Sequence, residues 1–139
     1  MEIRFQNSPG ETKEMDTEQL RKNLLVQNLM QDDNIQLVYS HYDRVIIGGI
    51  KPLAKTIKLP NHPELKAEYF LERREIGIIN VGGPSVITAD EKEYQLSKLD
   101  CLYLGKSTRE VKFRSRNKKE PALLYLLSAS AHHKYPIKL

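Results

Sequence analysis

The chain has 139 residues, 22 lysines and arginines against 18 aspartates and glutamates, a formal net charge of +4, and 40% hydrophobic residues. That length makes one domain whose core needs no staple, and a single cysteine excludes an internal disulfide. No apolar run is long enough to cross a bilayer, and MEIRFQNSPGETKE lacks a basic segment followed by an apolar one, so a cytoplasmic protein with no membrane partner is expected.

Residues 1–34 read as an N-terminal arm with a short helix. Ile3 and Phe5 alternate as an edge strand does, and Asp16 or Thr17 caps a helix that carries Leu20 and Leu24 on one face to about Val26. Residues 35–128 read as a barrel. IQLVYS at 35–40 alternates, and RVIIGGI at 44–50 is an apolar run suited to a strand covered on both sides. Thr56 to Leu59 alternates again before Pro60-Asn61-His62-Pro63-Glu64 breaks the pattern, leaving His62 exposed in a loop. Glu75 to Val81 is apolar on both faces, Gly82-Gly83-Pro84 turns, Val86 to Thr88 returns, and Asp90-Glu91-Lys92 turns again. Tyr94 and Leu96 share a face, and Asp100 to Leu104 re-enters the core with Cys101 as a buried small hydrophobe. Val111 and Phe113 alternate with Lys112 and Arg114, which with Arg116, Lys118 and Lys119 form the solvated face of a ribbon; no nucleic-acid partner is expected. Residues 122–127 form the last buried strand, and 129–139 read as a linker. Short strands with regular turn punctuation make an all-β sandwich or barrel.

Between Tyr69 and Phe113 this punctuation resembles that of the cupin β-barrel, or jelly roll. Cupins hold a metal with two histidines and a glutamate from one motif and a third histidine from a second. Laid on that frame, Tyr69 and Leu71 stand at the first two histidines, Glu75 at the glutamate and Glu110 at the last histidine. The resemblance therefore implies a barrel without a metal in this chain. Longer strings are more specific: VYSHYDRVIIGGIKPL at 38–53, YFLERREIGIINVGG at 69–83 and AHHKYP at 131–136 closely resemble the N-terminal half of the 5-keto-4-deoxyuronate isomerases, across essentially the whole chain. The resemblance implies a two-barrel enzyme about twice this length, with three histidines and a glutamate holding zinc in the second barrel. It also implies conversion of 5-keto-4-deoxyuronate to 3-deoxy-D-glycero-2,5-hexodiulosonate in pectin degradation. On this reading the chain stops where the second barrel begins.

No residue stands out as catalytic. His41, Asp43 and Arg44 form the densest polar cluster in an apolar region and are the substrate-binding candidates, although a loop between strands uses such residues for turn chemistry as well. Tyr69, Arg73, Glu75 and Glu110 are candidates for the barrel interior. Arg73 and Arg74 point to opposite faces, and whichever points inward needs a partner, Glu75 or Glu110. His132 and His133 point apart on an extended chain and make no metal site. Two functional classes follow. In one, the chain is the N-terminal part of the isomerase, serving assembly, shaping the active site and partnered by the C-terminal cupin domain. In the other it is a free-standing, non-catalytic cupin binding or assembly module. Self-association is expected in both.

Overall fold

The computed structural model describes all 139 residues. In chain order they form β1 (Glu2–Arg4), α1 (Pro9–Lys13), α2 (Thr17–Leu24), β2 (Ile35–Ser40), β3 (Val45–Ile50) and β4 (Ile57–Lys58). A short 3-10 turn (Pro63–Leu65) leads to β5 (Arg74–Asn80), β6 (Ser85–Ala89), β7 (Lys92–Leu96), β8 (Cys101–Leu104), β9 (Val111–Ser115) and β10 (Leu124–Ser130). No helix is long and apolar enough to cross a membrane.

Two sheets face each other, one of six strands in the order β1-β2-β3-β10-β5-β8 and one of four in the order β4-β9-β6-β7. Period-two alternation decides what lies between them. Ile76 and Ile78 of β5, Leu102 and Leu104 of β8, Leu124 and Leu126 of β10 and Phe113 of β9 point inward and belong to a 19-residue core. The two sheets thus enclose side chains rather than a chamber.

Both helices start on a reciprocal cap. Asp16 Oδ1 accepts from the Gln19 backbone N–H at 2.8 Å while Gln19 Oε1 accepts from the Asp16 N–H at 3.0 Å, and Ser8 and Glu11 make the same pair for α1. Neither helix buries a residue. The arm is held instead by β1, which pairs with β2 in parallel, and by Arg4 Nη1, which donates to the Leu25 carbonyl at 2.9 Å. The edge strand and α2 match expectation; the capped turn of α1 is an addition.

Three polar residues organise loops that apolar patterning does not reveal. Asp33 Oδ1 accepts from the N–H groups of Leu53, Ala54 and Lys55 at 2.7, 2.9 and 3.1 Å, and these bonds, that from Lys55 first, hold its carboxyl below the ordinary carboxylate value. Asp90 Oδ1 accepts from the N–H groups of Arg109 and Glu110. Asn80 is fully buried at the end of β5: its Nδ2 donates to the carbonyls of Gly83, Ser97 and Leu96, and its Oδ1 accepts from Gly82 N–H.

The segment expected to be a linker begins within a strand and meets the barrel again near its end. β10 runs on to Ser130, and the tail then returns to the free edge of β8, where the Tyr103 N–H donates to the Lys138 carbonyl at 2.7 Å. Gly105 permits this return, because a Cβ there would lie 2.5 Å from the Tyr135 carbonyl oxygen. Two other expectations reverse. Cys101 is exposed, because β8 turns Leu102 and Leu104 inward and so puts Cys101 and Tyr103 on the outer face. His62, expected in the open, is half-buried at the start of the 3-10 turn, where burial pushes its pKa down, with the chain amino terminus adding to the effect.

Candidate functional site

Alternation along β5 determines what reaches the barrel interior. Arg74, Ile76, Ile78 and Asn80 are the buried face, so Glu75, Gly77 and Ile79 look outward. Glu75, expected inside, is therefore on the outer face, where it accepts a hydrogen bond from the Tyr103 hydroxyl at 2.8 Å. Burial and that carboxylate push the Tyr103 pKa up to about 12. Arg73, also expected inside, is exposed. Tyr69 is half-buried in the turn before β5, with the Arg109 guanidinium 5.6 Å from its ring centroid. Glu110 lies in the loop before β9 and is clasped by Lys58 Nζ at 2.6 Å and Lys112 Nζ at 2.5 Å, which lower its pKa to about 2. None of these four carries its polar group into the barrel centre. Glu75 is one residue out of phase with the inward Arg74 and Ile76, and Arg73 precedes β5, outside its alternation, so that it lines the same cleft as Arg74 rather than the opposite face.

A cupin metal centre does not fit these residues. Leu71, at one of the histidine positions, is 1% exposed and packs in the core. No three His, Cys, Asp or Glu side chains stand close enough together to hold a metal ion.

The cluster His41, Asp43, Arg44 comes apart as well. Asp43 and Arg44 close the four-residue turn between the paired Ser40 and Val45, both in the left-handed region with φ of 52° and 54°. His41 turns the other way, stacking on Phe5 of the arm with ring centroids 4.6 Å apart and meeting Tyr39 edge-on at 5.2 Å. Only Arg44 stays near another candidate. Its carbonyl accepts from Arg74 Nη2 at 2.7 Å, and it shares a cleft with Tyr39, Arg73 and Arg74.

Arg74 is the inward arginine, and its partners are not carboxylates. Its Nε donates to Ser128 Oγ at 3.1 Å and its Nη2 to the Ser128 carbonyl at 2.9 Å, while Tyr39 presents its ring 5.8 Å away. The expected ion pair with Glu75 or Glu110 is absent because β5 points Glu75 outward and two lysines hold Glu110. Arg74 was within reach of the sequence, being in phase with Ile76 and Ile78.

Part of the basic ribbon is matched by neighbouring side chains. Lys112 pairs with Glu110, Arg114 with Glu93 at 3.4 Å, and Arg116 donates to Gln95 at 3.0 Å. The basic ribbon is thus partly neutralised by neighbouring side chains. His132 and His133 are exposed. On the outside of the six-stranded sheet, Ile79, Cys101, Tyr103, Tyr125 and Leu127 surround the flat spot left by Gly77, with Ile79 38% and Leu127 46% exposed.

No family model matches the chain. Over all 139 of its residues it is 45% identical to the 4-deoxy-L-threo-5-hexosulose-uronate ketol-isomerase of Halalkalibacterium halodurans. It is 47% identical over 137 residues to the enzyme of that name from Formosa agariphila. The chain spans about half the length of the curated relatives it matches, 50% and 49% in these two. Among solved structures, the cupin domain of an XRE-family transcriptional regulator from Enterobacter cloacae aligns with 74% of this chain and 96% of its own, at a TM-score of 0.50 and 11% identity. An HTH_3-family transcriptional regulator from Vibrio cholerae aligns with 74% of this chain and 52% of its own, at 0.52 and 17%. These likenesses establish the cupin fold and nothing of function.

Proposed function

We propose that this chain, homologous along its whole length to half of the 4-deoxy-L-threo-5-hexosulose-uronate ketol-isomerases, is the metal-free N-terminal barrel of such an enzyme, which converts 5-keto-4-deoxyuronate to 3-deoxy-D-glycero-2,5-hexodiulosonate in pectin degradation. The observation that carries the reading is identity of 43–47% extending over nearly every residue of the chain in relatives twice as long.

A ketol shift moves a proton between adjacent carbons and needs a donor or Lewis acid on the developing enediolate. The interior of this barrel leaves no chamber in which either could act on a substrate. Leu71, Ile76, Ile78, Leu102, Leu104 and Phe113 fill it, and its only inward cation is bonded to Ser128 and a backbone carbonyl. The reaction centre accordingly falls to the other half, where the family resemblance puts the zinc. This barrel's part is assembly and the shaping of a neighbouring site, in a cytoplasmic setting that keeps the lone thiol of Cys101 reduced.

The outer face around Gly77 is the surface the other half covers. It is apolar at Ile79, Leu127 and Tyr125, has its polar edge in the Glu75–Tyr103 pair, and belongs to a chain that spans only half of its relatives. In isolation the same face brings two copies of this chain together. The test is association of this chain with the separately produced other half of the H. halodurans enzyme. Binding that Leu127→Glu weakens at least tenfold is expected, and a failure to associate at high micromolar concentration would overturn the reading.

A further inference from the structure

We propose that the cleft between the β2–β3 turn and the start of β5, lined by Arg44, Arg73 and Arg74 with Tyr39 and Ser130, binds the carboxylate of a small sugar acid. Its positive charge is the first argument. Arg74 is 7% exposed, and none of the ion pairs in the protein includes it. A guanidinium taken that far out of water is costly unless a counter-charge or a full set of acceptors meets it. Serine and carbonyl oxygens satisfy Nε and Nη2, but Nη1 donates to no protein acceptor and is not sealed from solvent. Arg44 and Arg73 line the same cleft, and its only carboxylate is that of Glu64, which pairs with none of the three. Burial, with Arg44 close by, presses the pKa of Arg74 below its ordinary value, which an incoming anion would relieve.

The shape selects the ligand. The cleft encloses about 190 Å³, below the roughly 300–1,000 Å³ of sites for drug-sized molecules. Leu65, Ala67 and Phe70 form an apolar wall suited to the carbon face of a sugar, and the hydroxyls of Tyr39 and Ser130 suit its alcohols. A bare inorganic anion would leave that wall uncovered. The site stands on rigid supports, since β10 pairs with both β3 and β5 and sets Ser128 opposite Ile46 and Ser130 opposite Arg74. The choice of a sugar acid among carboxylates rests on the isomerase reading; the anion site itself does not.

The experiment is calorimetric titration of the 139-residue chain with D-galacturonate, D-galactose, acetate and inorganic phosphate, repeated on Arg44→Gln and Arg73→Gln. Both positions are exposed, so these variants keep the fold, which circular dichroism verifies, whereas Arg74 anchors β10 and is left unchanged. Galacturonate should bind at least tenfold more tightly than galactose or acetate, and each variant should lose at least tenfold. The proposal is overturned by absence of galacturonate binding, by binding that both variants retain, or by phosphate binding more tightly than galacturonate. The isomerase reading is judged on a different readout, turnover by the two-barrel enzyme, so a failure of one is not mistaken for a failure of the other.

Discussion

Asn80 offers the sharpest test of how the barrel is closed. Its side chain is sealed from solvent, with Nδ2 2.8 Å from the Gly83 carbonyl, 3.2 Å from that of Ser97 and 3.3 Å from that of Leu96, and Oδ1 3.1 Å from the Gly82 N–H. Asn80→Ala strands one well-bonded carbonyl and one N–H and weakens two further carbonyls. A buried group left without its partner costs about 1–3 kcal/mol, so the variant should lose about 2–5 kcal/mol. Asn80→Asp keeps the shape but turns a carboxylate oxygen toward three carbonyls. An uncompensated buried charge costs about 3–5 kcal/mol, and this one can be avoided only by protonation. The folded-state pKa of that new carboxyl is therefore raised, and the stability of the variant should fall as pH rises through it. Urea unfolding followed by circular dichroism, at acid and at neutral pH with unchanged m-values, measures both effects. An alanine variant within about 1 kcal/mol of the parent, or an aspartate variant as stable as the parent at neutral pH, would mean that these bonds do not hold the barrel closed.

Glu110 supplies a pH dependence: its carboxyl is lowered from 4.5 to about 2 by Lys112 and Lys58, so its contribution is complete above 4.5 and fades as pH falls toward 2. Carbon-detected NMR titration should find that low pKa, and Lys58→Ala with Lys112→Ala should return it toward 4.5. Gly105→Val should lift the tail off β8, because its side chain would meet the Tyr135 carbonyl; faster amide exchange at Tyr103 is the readout. Sedimentation across a concentration series should find the isolated chain self-associating, and Leu127→Glu should shift it to monomer, since Leu127 is 46% exposed on the outer apolar face.

The strands were legible because period-two alternation and the Gly-Gly and Asp-led turns state them directly, and the apolar positions that alternate along β5, β9 and β10 are those that pack in the core. Side-chain direction was less so. Glu75 and Cys101 both sit in strands with apolar residues on each face, where composition does not say which face the other sheet covers. His41, Asp43 and Arg44 are adjacent in sequence, yet a hairpin turn separates His41, packed on the arm, from Arg44 at the cleft. The tail lacked periodicity because only a single bridge at Lys138 joins it to β8. Conversely, Arg74 and Ser128 lie far apart in sequence and meet only through the register of β5 and β10.

In the proposed isomerase this barrel leaves the chemistry to the other half. The direct measurement is conversion of 5-keto-4-deoxyuronate by the 139-residue chain alone, by the chain joined to the other half of the H. halodurans enzyme, and by each after chelator treatment. No turnover by the chain alone is expected, and turnover, lost on chelation, by the joined protein. Chelator-resistant turnover by the chain alone would contradict that division.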